Sequence, residues 1–552
     1  MGKRVDSFIT KIKNIIRRVI ALTDTEGIYL MHSVNENIVN IKAKILEQAQ
    51  NLINYVEDSY ETGLAAHQVE DDLLKQLLQM GYQGMSLLFQ HYGLCDLGKK
   101  LELSDGRWLN RLSEPHKKDY LSIFGFLEPE RYVYGSREGQ KIDYVPFDAR
   151  LQLPKQKFSY LLQNWDQSLA TEMPFQKVND TLSRILNLSV PVSSLERTNQ
   201  NMNQYSEQYW DNQVKIKPVE GVQIVVGSSD CKGVVIRKSI EEKAEYLLKN
   251  TEHCKPASIE SSSSKKRNGK KKMAVLGAVY TVEPNHRKPD DVLESLFRPA
   301  GDPSPYDKKK PRPKPLDKHV RASMHRDDAD TLQPAREEIF NWLEQEYNER
   351  NPQGKSKNIL LMDGEEKLWR MGKELKTKSS LIEILDIIHA SSYLWKAVQA
   401  LHPNNTITQN IPLVKKQVGY LLEGNAKRVI RSLRWQATHN NVKGTDLESL
   451  NTSCNYLEKN IERMDYKQYL EAGYPIASGV MEGACRNVVV DRMECSGMRW
   501  IMKGAKSMLN IRCIHLNGDW DRFVDFYIKE EQKSLYPTKA ANDDSFIELM
   551  VA

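Results

Sequence analysis

The chain has no Cys-x-x-Cys pair. Its seven cysteines (Cys95, Cys231, Cys254, Cys454, Cys485, Cys495 and Cys513) are scattered. That spacing argues against a zinc ribbon or finger, and unpaired cysteines fit a reducing cytoplasm. Long apolar runs are missing too. None approaches the ~18 residues of a membrane span, so no membrane partner is expected. The opening MGKRVDSFITKIKNIIRRVIAL is basic, but Lys and Arg interrupt its apolar positions, which does not suit a secretory signal. An excess of one charge is also lacking. The net charge is +6 although 28% of residues are charged, so the whole-chain balance says little about nucleic acid. What is present is length, 552 residues, with a 40% hydrophobic fraction. That is enough for roughly three or four domains with real cores. The expectation is a cytoplasmic protein.

Ile38, Ile41, Ile45, Ala49, Leu52, Ile53 and Val56 recur at helical spacing, as do Val69, Leu73, Leu77 and Met80. They predict an α-hairpin within an N-terminal helical domain, 1–118, with packing or oligomerisation as its first role and DNA contact as the alternative. Residues 119–153, containing YLSIFGFLEPERYVYG, read as short strands and a hairpin returning towards helix.

Residues 154–215 read as a helix-turn-helix domain. Pro174 suits a helix start, and Phe175, Val178, Leu182, Ile185 and Leu186 form an apolar face. Ser193 and Glu196 have capping-box spacing, predicting a second helix there. That helix offers Arg197, Asn199, Gln200, Asn201, Asn203 and Gln204, types able to read base edges in a major groove. An ordinary helical hairpin with a polar face fits equally. Arg197, Asn201 and Gln204 are the candidate DNA readers.

Residues 216–404 carry the strand-like runs VQIVVGSSD, MAVLGAVYTVE, NILLMD and LIEILD. A Ser-rich, then basic loop lies at about 255–272. There Lys270, Lys271 and Lys272 are expected to add sequence-independent phosphate affinity, with a solvated linker as the alternative. The prolines of KKKPRPKPLDKHVR at 308–321 forbid a helix interior, and this run is placed near phosphates or in a plain exposed loop. A polar helical block, 405–472, separates these strands from final helices at 473–530 and a tail at 531–552.

Two of the strand-like runs, ending at Asp230 and Asp363, supply the candidate strand-end carboxylates. Carboxylates at strand ends gather where sheets bind ligands, and magnesium takes such hard oxygen donors. Two metals roughly 4 Å apart serve phosphoryl transfer, which requires a third acid. Glu482 is the candidate, in the first turn of a helix beginning at Ser478 and Gly479. Singly, Asp230 and Asp363 also fit turn or cap residues, and Glu482 fits a surface pair with Arg486.

The motifs GSSDCKGV, LMDGEEKLW, LDIIHASSYLW and YPIASGVMEGACRNVVVDRMECSGMRW occur in this order. Together they resemble the ISKra-four-type bacterial insertion-sequence transposases, DDE enzymes distantly related to the Mutator-like and hAT groups. The resemblance covers roughly residues 118–522. It implies an α/β catalytic core of RNase H-like type, a mixed sheet flanked by helices, interrupted by a helical insertion before Glu482. It also implies two Mg²⁺ ions (Mn²⁺ substituting), with Asp230 bridging them and Asp363 and Glu482 holding one each. Water would cleave the element's terminal inverted repeat to free a 3′-OH, which would then attack target DNA. The partners implied are double-stranded DNA and a homodimer or higher oligomer on it. LDIIH is similar to the family element carried over as Asp386 and His389, bracing the site or contacting the DNA end, although a core histidine fits as well. Arg492, Arg499 and Trp500 are implied to line the DNA channel; plain packing is the alternative for Trp500. The resemblance expects Gly where Cys231 stands. The alternative function is a catalytically inactive or domesticated transposase acting as a sequence-specific DNA-binding protein. A structure-specific nuclease without the joining step is a third possibility.

Overall fold

The computed structural model describes residues 36–136, 142–212, 223–238, 271–298, 312–325, 333–538 and 540. The basic N-terminal stretch, Lys270 and most of the Ser/Lys-rich segment lie outside them. The chain divides into two compact units, Met1–Leu151 with Ala540–Ala552, and Gln152–Lys539. No helix among the described residues is long and apolar enough to cross a membrane.

In the first unit, helices Glu36–Thr62 and Ala66–Tyr92 pair as an α-hairpin. Ile38, Ile41, Ile45 and Leu52 turn inward, whereas Ile53 and Val56, expected on the same face, are exposed. Phe89 is buried edge-to-face against Tyr120 and Phe147, which joins the hairpin to a β-rich element. That element begins before residue 119, with strands at Lys100–Glu102, Trp108–Arg111 and His116–Lys117 inside the stretch read as helical. These strands are very short, so they carry no period that a sequence window detects.

The second unit is built on a five-stranded sheet: β1 (Ile224–Val235), β2 (Lys271–Val282), β3 (Leu316–Ser323), β4 (Lys357–Met362) and β5 (Leu381–Leu385). Its order is β3-β2-β1-β4-β5. β2 runs antiparallel to β1 and β3, while β1, β4 and β5 are parallel. β4 after Lys357 and the first half of β1, Ile224–Ser229, are buried, as expected for strands covered on both faces. The helices that precede the sheet in this unit include α1 (Tyr160–Glu172), α2 (Phe175–Leu186) and α3 (Val192–Met202), followed by the short helix Ser206–Asn212. They fall in the same compact unit as the sheet.

Helix α4 (Gln333–Arg350) lies on β1, β2 and β3. Gly227 permits the approach, since a Cβ there would sit 2.4 Å from the Tyr347 hydroxyl. That hydroxyl donates to the Ile359 carbonyl at 2.6 Å, tying α4 to β4 as well. Helix α5 (Ile387–Leu401) follows β5 and buries one face under the inserted helices Ile407–Leu422, Ala426–His439 and Gly444–Lys459. The insertion then returns to the sheet. Arg463 pairs with Glu383 at 2.6 Å, and the Tyr466 hydroxyl donates to the Leu385 carbonyl at 3.0 Å. The Ile387 N–H donates to the Ile476 carbonyl at 2.9 Å. These bonds bring the chain back beside the end of β5, where α6 (Gly479–Cys485) begins. A π turn, Arg486–Val490, and a short turn, Asp491–Met493, lead to α7 (Met502–Leu516).

Four expectations need correction. β1 runs on past Asp230 to Val235, because its antiparallel ladder with β2 continues that far. Lys271 and Lys272 are the first residues of β2, opposite Val235 and Val234, not part of a loop. Leu316–Ser323, inside the proline-containing basic run, is strand β3. Its prolines all precede the paired residues, so they do not prevent pairing. Finally, α3 starts at Val192 after Pro191 without a side-chain cap, so no Ser193–Glu196 capping box forms.

Candidate active site

The parallel pairing of β1 with β4 covers only Ile224–Gly227 against Lys357–Leu360. Beyond Gly227 the two strands are no longer bonded to each other. This is also where the strand order reverses direction, the position at which open sheets bind ligands. Asp230 lies on the unbonded stretch of β1, and Asp363 directly follows β4. Asp386 directly follows β5. These three, with His389, Glu482, Lys232 and Arg486, line one cleft of about 530 Å³. All five residues assigned from sequence to the catalytic centre and its support are therefore brought together.

Their roles differ. Asp230 is half-buried. One oxygen accepts the Cys231 N–H at 2.6 Å and the other accepts the Cys485 thiol at 3.3 Å. Asp363 is half-buried and accepts the Glu365 N–H at 3.2 Å through Oδ1 only. Burial pushes its carboxyl above the usual range. The nearby Asp230 charge adds to the rise, while the Glu365 N–H and His389 oppose it. Burial likewise pushes the Cys231 thiol up to about 12, helped by Glu365, Asp230 and Asp363. The Cys485 thiol is raised by burial and by Asp230. Neither cysteine is therefore a thiolate nucleophile near neutral pH. Glu482, in the first turn of α6, is exposed and its side chain has no hydrogen-bond partner among the described residues.

Asp386 is 1% exposed and caps α5 by accepting the Ile388 N–H at 2.6 Å. Its second oxygen accepts the Ser478 N–H at 2.8 Å and the Ser478 hydroxyl. Asp386 is thus a positioning residue that ties the end of β5 to the start of the helix bearing Glu482. His389 is exposed on the cleft wall.

The donors suit a hard divalent ion. Asp230 and Asp363 offer carboxylate oxygens, and the Asp230 charge adds to the rise that burial gives the Asp363 carboxyl, a repulsion that a bound cation would relieve. Asp363 Oδ2 and the Glu482 carboxylate are uncommitted among the described residues. As they stand, no three His, Cys, Asp or Glu side chains among the described residues are grouped tightly enough to hold an ion.

The other assigned residues fall elsewhere. Arg492 is fully buried and lies in no channel. Its Nε donates to the Ala170 carbonyl at 2.6 Å, and its guanidinium lies over Phe175 and Trp500. Burial and the neighbouring Arg512 lower its pKa to about 10. Trp500, 9% exposed, donates to the Met493 carbonyl at 3.0 Å, and its backbone bonds to Val235 and Arg237. It is a packing residue. Arg499 is exposed but is not among the residues of the cleft. Lys271 pairs with Glu494 at 3.1 Å. On α3, Arg197 is exposed, as is Gln204 in the turn after it, while Asn201 is half-buried. Asn199 is spent internally, donating to Gln167 at 3.1 Å. Ile185, read as part of the α2 apolar face, is exposed.

Sequence reading missed Cys485, Lys232 and the bonding of Ser478 to Asp386. Ser478 had a usable signal, standing just before Gly479 at the start of α6. Asp491 also lines the cleft and pairs with Arg486 at 3.6 Å. A regular helix would turn it away from Glu482, but the π turn adds a residue to that revolution and keeps it on the cleft side.

No family model matches this chain, and no curated protein matches it.

Proposed function

We propose that the protein is a DDE transposase with an RNase H-like catalytic core, which cleaves the ends of an insertion sequence and joins them to target DNA. The observation that carries this reading is the meeting of Asp230, Asp363 and Glu482, distant in sequence, around one cleft where the sheet order reverses. The reaction is hydrolysis of a phosphodiester at the element's end, giving a 3′-OH, then in-line attack of that hydroxyl on a target phosphodiester. Asp230, Asp363 and, from α6, Glu482 are the residues that would hold divalent cations against the reacting phosphate. Two Mg²⁺ ions, when bound, supply Lewis-acid stabilisation of the attacking and leaving oxygens. Asp386 keeps α6 against the sheet, while Lys232 and Arg486 offer positive charge to DNA phosphates at the cleft. Arg197, Asn201 and Gln204 read the terminal inverted repeats. Because two ends must be joined, the working form on DNA is at least a dimer.

One observation favours a second reading, a DNA-binding protein without catalysis: the three acids are not gathered tightly. Incubating the protein with terminal-repeat DNA, target DNA and Mg²⁺ separates the readings. Joined products support the transposase. Cleavage without joining indicates a nuclease, and sequence-specific binding without either indicates the non-catalytic protein.

A further inference from the structure

A second cavity, of about 700 Å³, lies behind Asp363 and is unused by the chemistry proposed above. Its walls come from helix Glu366–Glu374, α5 and the inserted helix Gly444–Lys459. It adjoins the candidate active site through one residue. Gly364 follows Asp363, and a Cβ there would sit 2.1 Å from the Tyr456 ring, so that ring lies directly on the loop holding the acid.

The lining has three features with a common ligand chemistry. Tyr456 stacks on Tyr393 with ring centroids 3.6 Å apart, an aromatic wall. Trp369 is 3% exposed, yet its indole N–H finds no hydrogen-bond acceptor. A buried donor left unpaired is a cost that an acceptor entering the cavity removes. At the rim, Arg370 and Lys373 are exposed and have no carboxylate partner among the described residues. A flat π surface, a buried donor and unpaired cations together fit a nucleobase with its phosphate.

We propose that this cavity binds a single unpaired nucleotide. Its base lies against Tyr456 with an acceptor atom on the Trp369 indole N–H, and its phosphate lies on Arg370 and Lys373. A base held in a duplex cannot enter, so the occupant is extrahelical. That the nucleotide belongs to a DNA strand being processed at Asp363 rests on the function proposed above; the binding chemistry itself does not.

The test uses the full chain and three probes: a duplex carrying one unpaired 2-aminopurine, the same duplex fully paired, and free deoxyadenosine monophosphate. The expected result is about tenfold tighter binding of the unpaired probe than of the paired one. Trp369→Phe and the double change Arg370→Ala with Lys373→Ala should each reduce that preference. Equal affinity for both duplexes in the unaltered protein, or a preference that survives both variants, overturns the proposal. Free nucleotide bound in a way that both variants weaken, with neither duplex bound, keeps the cavity and removes the transposase reading. DNA joining without any preference for the unpaired probe removes the cavity proposal alone.

Discussion

Replacing Asp386 with Ala should loosen the helix that carries Glu482, and the size of the effect follows from three hydrogen bonds. The cap to the Ile388 N–H contributes about 1 kcal/mol. The bonds from the Ser478 N–H and hydroxyl, made to a carboxylate, add roughly 1.5–3 kcal/mol. Removing a carboxylate only 1% exposed returns part of this as relieved desolvation. A net loss of about 2–3 kcal/mol is expected in urea unfolding. Ser478→Ala alone removes one of the two Ser478 bonds and should cost about 1 kcal/mol. The double variant should be less destabilised than the sum, with a coupling of about 1 kcal/mol. Joining activity should fall further than the folded fraction does, because Asp386 holds α6 in place rather than merely stabilising it. A change below about 0.5 kcal/mol for Asp386→Ala, or strictly additive costs, would refute the tie between β5 and α6.

Three further outcomes are expected. The carboxyl of Asp363 is raised in the folded state, so its contribution to stability is fully present below the ordinary carboxylate pKa and is lost as pH rises through the folded value. Asp363→Asn should therefore melt higher than the unaltered protein at pH ~7, with the advantage fading below pH ~4; a constant difference across that range contradicts the assignment. Arg492→Ala should cost about 3 kcal/mol, mainly through lost packing against Phe175 and Trp500. DNA affinity of its folded fraction should stay unchanged, and a stable variant with weakened DNA binding would return Arg492 to a channel. Changing Arg197, Asn201 and Gln204 together to Ala should leave the fold intact and reduce discrimination between terminal-repeat and random DNA in gel-shift competition. Unaltered specificity would place recognition elsewhere.

The legible parts of the sequence were those with a strong local period. β4 ends in the apolar run ILLM, so Asp363 could be placed at its end, whereas Asp386 was singled out by the LDIIH resemblance. β1 was legible only to Asp230, because Cys231, Lys232 and Gly233 look like a turn, and their strand conformation comes from the β2 ladder far along the chain. β3 was hidden by the lysines and prolines before it, and it exists because it completes the sheet edge beside β2. The π turn has no sequence signature, so the direction of Asp491 could not be read. Arg492 looked like a DNA contact through the family resemblance, and Asn199 because its residue type can read base edges and usually stays exposed. Their partners, the Ala170 carbonyl and Gln167, lie on another helix, and only tertiary packing reveals them.

The central claim is that Asp230, Asp363 and Glu482 together perform phosphoryl transfer. The most direct measurement is joining of labelled terminal-repeat DNA in Mg²⁺ by Asp363→Asn, Glu482→Gln and Asp491→Asn, each first shown to be folded and to bind end DNA. The account predicts no cleaved or joined product from the first two and measurable joining from the third. Joining above about a tenth of the unaltered rate by Asp363→Asn would contradict it, since a lost metal ligand should cost far more. So would an active Glu482→Gln beside a folded but inactive Asp491→Asn.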